Sequence, residues 1–273
     1  MGVVYGVVAA VFIGASDYLG SRSAGRSSAL QAVTAAVWAG AAASLVVSPL
    51  LGEPRGRDIL LGAVSGATVA LALGVLWRAY VVASVGVAAP VAAVVNAVVP
   101  VLWDLTRGEA PGPLGVAGMV LGATAIVATS WSTDGRPVRP GLLLGTLAGV
   151  AFGVTFIVAA ETAVESGTWP VFSQRLCAGV LLVTVALARR VPPLAAPSIA
   201  RRSAVAGVFG TSGIAASVLG GQRGPIGPVA VGAALYPAVT ILLLWLLHGE
   251  RLRWWQSLGL VAAVAGVALL GLD

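Results

Sequence analysis

Two charged side chains stand in stretches that carry almost no other charge, and any chemistry in this chain would begin with them. Asp17 closes the apolar run 1–16, and Arg175 has no charged neighbour between Glu165 and Arg189. A carboxylate at such a place is costly unless it faces protein or water. As function, Asp17 binds a proton or a substrate amine inside a cavity; as structure, it is an interfacial carboxylate paired with Arg22. Arg175 falls about halfway along its apolar run, too deep to reach the interface easily, so it needs a partner. Its guanidinium fork suits a substrate carboxylate or phosphate, or it clamps Glu161 or unwound carbonyls, and the clamp is the plainer reading.

Polar groups in the middle of apolar runs extend the set. Asn96 lies between Pro90 and Pro100, and Tyr236 between Pro228 and Pro237. Prolines at these places predict kinked helices with carbonyls freed near the membrane midplane, where transporter sites tend to lie. Asp17, Asn96, Arg175 and Tyr236 are therefore the candidate substrate or proton-binding residues, with Glu161, Trp77 and Pro237 as cavity or structural residues. Trp77, Tyr80, Trp103, Tyr236 and Trp245 also fit an interfacial aromatic belt. Glu109 and Glu250, in short turns beside Arg107 and Arg251, are expected to complement the dipole of the following helix. With His248 the only histidine and Cys177 the only cysteine, a multi-cysteine metal site, a disulfide and a Ser/His/Asp triad have no support. No cofactor and no catalytic residue is expected.

The elements that must position these groups follow from composition. Of 273 residues, 58% are hydrophobic and 10% charged, with a mean hydropathy of +0.98. That leaves too few polar side chains to coat a soluble particle. The net charge of +6 comes entirely from arginine. These arginines cluster in interhelical turns, so membrane topology explains them better than a nucleic-acid surface. Ten stretches are apolar and about 20 residues long, enough to cross about 30 Å of hydrocarbon: 1–20, 27–52, 59–77, 79–103, 110–133, 140–160, 166–188, 203–222, 224–249 and 254–272. Transmembrane strands would be half that length and strictly alternating. The first run lacks the basic start of a cleaved signal, and is expected to be kept as a helix.

The chain also resembles itself. Gly2, Gly6, Ala10 and Gly14 fall on Gly141, Gly145, Gly149 and Gly153 at an offset of 139, and Gly86, Ala97, Gly108, Glu109 and Gly118 fall on Gly227, Ala238, Gly249, Glu250 and Gly259 at 141. Two five-helix repeats, 1–132 and 139–273, follow. Because five is odd, the second repeat enters the bilayer inverted, an arrangement that builds a central site with alternating access. The ladders Gly141-Gly145-Gly149-Gly153 and Ala32-Ala36-Gly40-Ser44-Ser48 put a close-packing groove on one helix face.

The segment from Gly224-Pro225 through Leu235-Tyr236-Pro237-Ala238-Val239-Thr240 to Gly249-Glu250-Arg251-Leu252 and Gly259–Gly266 resembles the end of an EamA-type repeat of the drug/metabolite transporter superfamily. The first half carries a weaker copy, with Asn96 where the second has Pro237, and the opening Gly14-Ala15-Ser16-Asp17-Tyr18-Leu19-Gly20 is similar to a variant in some members. The resemblance implies an all-α, ten-helix transporter of the cell membrane that exports or exchanges a small organic metabolite or amphiphile, with no prosthetic group. The rival from another class is an intramembrane enzyme acting on a lipid or polyprenyl substrate. An arginine tally puts eleven residues (Arg22, Arg26, Arg78, Arg136, Arg139, Arg189, Arg190, Arg201, Arg202, Arg251 and Arg253) at one face against Arg55, Arg57, Arg107 and Arg223 at the other. The positive-inside rule then places both termini outside, whereas the resemblance implies termini inside.

Overall fold

In a computed structural model the chain is all-helical over the residues described, which are 1–24, 29–83, 85–130, 138–193, 196–248 and 254–272. The helices are α1 (Gly2–Ala24), α2 (Ala29–Leu51), α3 (Gly56–Val82), α4 (Val85–Thr106), α5 (Pro113–Ser130), α6 (Val138–Ala160), α7 (Trp169–Ala188), α8 (Pro197–Gly221), α9 (Ile226–Ala233), α10 (Tyr236–His248) and α11 (Trp254–Leu272). Seven stretches within them are long and apolar enough to cross a bilayer, counting α9 and α10 as one, and two shorter apolar segments lie in α4 and α5. This is a multi-pass, all-α membrane protein.

Charge gaps misplace several helix ends. α3 runs on past Arg78, and α8 begins at Pro197 with Arg201 and Arg202 inside it. All three arginines are exposed, so nothing stops the helix at them. α7 begins at Trp169, which leaves Arg175 in its first half, short of the midpoint. The expected single ninth span is broken at Ala234–Leu235, directly ahead of Tyr236 and Pro237. A proline ring clashes with the carbonyl four residues earlier and removes a donor, and the helix restarts around it.

Helices from the two halves alternate around a common core. α1 packs on α8, α9 and α10; α6 packs on α3 and α4; α2 and α7 pack on each other and on α8 and α3; α5 packs on α11. Small residues dominate the contacts. The central cluster holds Ala10, Ala93, Ala97, Ala125, Val231, Ala234, Leu235 and Ala238. Gly141, Gly145, Gly149 and Gly153 are all buried on α6. A Cβ on Gly145 would stand 2.7 Å from the Ala88 carbonyl oxygen, and one on Gly149 2.7 Å from that of Ala92. Small residues let backbones approach this closely, which is how helices associate without a hydrophobic driving force in lipid.

Candidate functional site

The start of α1, the turns at 52–55, 107–112 and 161–168, and the turn 222–225 all lie at one end of the bundle. Gly2 lies against Pro225 and Val229, Gly52 against Glu165 and Gly167, and the Arg223 guanidinium sits 5.8 Å from the Tyr5 ring. We call this the turn end. Helices alternate in direction from there.

The turn end is held by polar bonds across the two halves. Glu161, the residue after α6, receives Arg107 Nη1 at 2.6 Å and Trp103 Nε1 at 3.3 Å. Arg57 donates to the Glu161 carbonyl at 3.2 Å. Arg55 pairs with Glu165 at 3.3 Å. Asp58 is buried and accepts from the Ser166 hydroxyl and from the Ala163 amide at 3.2 Å. Ser48 and Thr168 share a hydrogen bond at 3.0 Å, and Trp169 Nε1 donates to the Gly52 carbonyl at 3.0 Å. The turn itself is shaped by Gly167, whose φ of +49° favours glycine and whose side chain would run into the Leu51 carbonyl. Pro170 then sits in the first turn of α7, where its missing N–H costs nothing.

A second carboxylate works in the same way. Asp104, near the end of α4, is buried and accepts from the backbone N–H groups of Ile226, at 3.3 Å, and Gly227. These are the first donors of α9, which have no partner within their own helix. A side chain on Gly227 would meet the Asp104 carboxylate, so glycine keeps this approach open.

The structure does not gather the expected site residues into one cluster. Asn96 is buried midway along α4 with its Oδ1 lacking a partner. Tyr236 opens α10 at the helix break, half-buried against the cluster that contains Ala93 and Ala97. Arg175 is half-buried and its Nε has no hydrogen-bond partner. It lies about 9 Å along α7 from the turn end, whereas Asp17, half-buried, lies about 22 Å along α1 from that end, at 1.5 Å of rise per residue. Asp17 is bracketed by bonds that tie α1 to its neighbours, Ser16 Oγ to the Ala206 carbonyl at 2.7 Å and Thr240 Oγ1 to the Gly14 carbonyl at 3.1 Å. Glu161 is not the partner of Arg175, because Arg107 holds it at the turn end.

Several expectations fall outside what is described. These are Gly249, Glu250 and Arg251, together with the side chains of Arg22, Trp77, Tyr80, Pro90, Pro237 and His248. Glu109 is exposed and four residues ahead of α5, whose first turn carries no acid, so it does not complement that helix.

Sequence reading missed several buried polar groups. Gln174, next to Arg175, is buried and donates from Nε2 to Ser65 Oγ at 2.6 Å. Thr68 and Thr155 share a hydrogen bond at 2.7 Å beside it. Gln222 donates to Thr162 Oγ1 at 2.9 Å and to the Gly167 carbonyl at 3.0 Å. An amide in an apolar run, the signal that singles out Asn96, was available for Gln174 as well.

Residues 139–272 match the EamA-like transporter family. No curated protein matches the chain. A solved structure described as "Crystal structure of protein" superposes with a TM-score of 0.83, covering 99% of this chain and 96% of its own, at 18% identity. That likeness is one of fold.

Proposed function

We propose, on the premise that this is an EamA-type membrane protein matched to its family over residues 139–272, that it moves a small organic metabolite or amphiphile across the cell membrane by alternating access. Ten spans in two inverted repeats, 1–132 and 139–273, form the machine. The packing supports this layout. Exchanging α1 with α6, α2 with α7, α3 with α8, α4 with α9–α10 and α5 with α11 turns each of the main helix pairings into another of them or, for α5–α11 and α2–α7, into itself. Gly6 and Gly145 make related contacts: a Cβ on either would stand 2.7 Å from a carbonyl oxygen, of Val229 and of Ala88 respectively. The same offsets, 139 and 141, link these residues in the sequence.

The observation that carries the reading is the turn end. Its bonds join the two halves to each other, and buried polar groups without partners, Gln174 Oε1 and Asn96 Oδ1, lie deeper in the bundle. Exposed ion pairs are individually weak and exchange readily with water, and a single hydroxyl bond adds about 1 kcal/mol. A seal of this kind opens when the halves rock, and the glycine seams beneath act as bearings. Asp17, toward the opposite end, takes either a proton or a substrate amine in competition, which couples solute movement to proton entry. Arg175 orients the anionic part of a solute or braces α7. The arginine tally places the turn end outside the cytoplasm.

Purified protein in liposomes, loaded with a panel of labelled amino acids, nucleosides and sugar phosphates, tests the proposal. Exchange of external for enclosed label is the expected result. Conversion of a lipid or polyprenyl compound without exchange makes the intramembrane enzyme the better reading. Asp17→Asn should abolish accumulation on an imposed pH gradient and leave passive exchange, and a variant that still accumulates solute removes Asp17 from coupling. A reporter active only in the cytoplasm should be silent when fused after Asp273.

A further inference from the structure

Between α6, α7 and α8, just below the turn end, lies a cavity of about 10 Å³. That is room for about one water, or for one group at the end of a larger molecule. Phe156, Ile214 and Val218 wall it, and the polar groups on it are Thr155, Gln174 and Ser217. No charged side chain lines it.

The Ser65 hydroxyl donates to the Thr155 carbonyl at 3.3 Å, so Ser65 offers Gln174 a lone pair, and the amide presents its nitrogen there. Gln174 Oε1 is left without a donor, although the residue is 2% exposed. The Ser217 hydroxyl donates to the Gly213 carbonyl at 3.2 Å, and that of Thr155 to the Ala151 carbonyl at 2.9 Å. The two hydroxyls have therefore committed their protons elsewhere, and the unpaired buried acceptor among the lining residues is Gln174 Oε1. An uncharged cavity of this size disfavours carboxylates and phosphates, which would bring a charge with no counterion. It disfavours ammonium groups for the same reason.

We infer that this cavity is a binding subsite for an uncharged hydrogen-bond donor, a hydroxyl or amide N–H group, on the transported solute, with Gln174 Oε1 as its acceptor. The inference rests on the transport reading and sharpens it. The subsite recognises one neutral end of the solute, and any charged end must be met elsewhere. Ser65, on α3 in the first half, positions the amide of Gln174 in the second, so a shift of the halves would turn the acceptor. Toward the turn end, Gln222 holds Thr162 and Gly167, one turn of α8 beyond Val218.

The test uses the full chain in lipid nanodiscs and three matched pairs of probes: threonine and valine, adenosine and 3′-deoxyadenosine, nicotinamide and N,N-dimethylnicotinamide. Protection against thermal unfolding is titrated for each. In at least one pair the donor-bearing member should protect at about tenfold lower concentration, as expected for one buried acceptor left unpaired. Gln174→Met should level that pair, and Gln174→Ala serves the same purpose if the methionine variant does not fold. A wild type that treats both members alike in every pair, including by binding neither, overturns the inference, as does a bias that survives in the variant. Binding is read here without flux. A biased protein that exchanges no solute sinks the transport reading and leaves the subsite, whereas active exchange without bias sinks the subsite alone.

Discussion

The turn end and the helix seams hold the same two halves together by opposite means. At the turn end, side chains reach from one half to the other: Arg107 to Glu161 and Arg55 to Glu165 where water has access, and Ser48 to Thr168 in a buried place. Along the seams, backbone meets backbone, with Gly6 on Val229, Gly145 on Ala88 and Gly207 on Ala36. The first kind of contact is weak one bond at a time, and its ion pairs can be broken and remade by water. The second tolerates sliding along a helix axis and no separation, because a gap in lipid would forfeit dispersion contacts and gain nothing. A protein that opens one end while keeping its middle intact needs this division of labour.

The comparison breaks most sharply if a seam glycine can be filled. In an exposed helix, Gly→Ala gains up to about 1 kcal/mol. At Gly207, however, the methyl would run into the Ala36 carbonyl and backbone, which cannot give way as a flexible side chain would. Gly207→Ala should cost about 3 kcal/mol and reduce the yield of monodisperse protein on gel filtration. Tolerance at this position would mean that the seams are loose.

Next in size is the Asp104 cap. Asp104→Ala strands the Ile226 and Gly227 donors in a buried place and should cost about 2 kcal/mol in thermal or denaturant unfolding. Asp104→Asn, which keeps one acceptor oxygen, should lose about half as much. Equal losses would show that charge rather than acceptor geometry holds α9.

How much of this was legible beforehand can be judged residue by residue. The α6 ladder from Gly141 to Gly153 could be read, since spacing alone puts these glycines on one face, and that face is the one buried. The break before Pro237 was foreshadowed by the ring's own chemistry. Asp58 could not be read. In sequence it belongs to the charged turn Arg55-Gly56-Arg57-Asp58, and only the distant turn holding Ala163 and Ser166 buries it. The partner of Glu161 was missed for the same reason, since sequence proximity favoured Arg175 and the fold supplied Arg107. Helical periodicity reports a face. It does not report which distant element covers that face.

Smaller effects sharpen the contrast. Arg107→Glu should destabilise by no more than about 1 kcal/mol, because the pair is half-exposed, and Glu161→Arg on top of it should restore the loss. An exchange assay on the same proteins should show faster leak in Arg107→Glu and recovery in the double variant. The smallest effect is expected at Gly74, which has open space around it in α3. Gly74→Ala should stabilise by up to about 1 kcal/mol without touching exchange, the reverse of Gly207→Ala in the same assay.

The central claim is that the turn end must open for solute to move, and a reversible lock there tests it most directly. Ser48 and Thr168 face each other at 3.0 Å across the two halves, close enough for a disulfide to replace their hydrogen bond. In a Cys177→Ser background, Ser48→Cys with Thr168→Cys should exchange solute normally when reduced. On oxidation, exchange should fall to that of the uncrosslinked remainder and return with reductant. Oxidised protein that exchanges as fast as reduced protein, with the crosslink verified on a gel, would contradict the account.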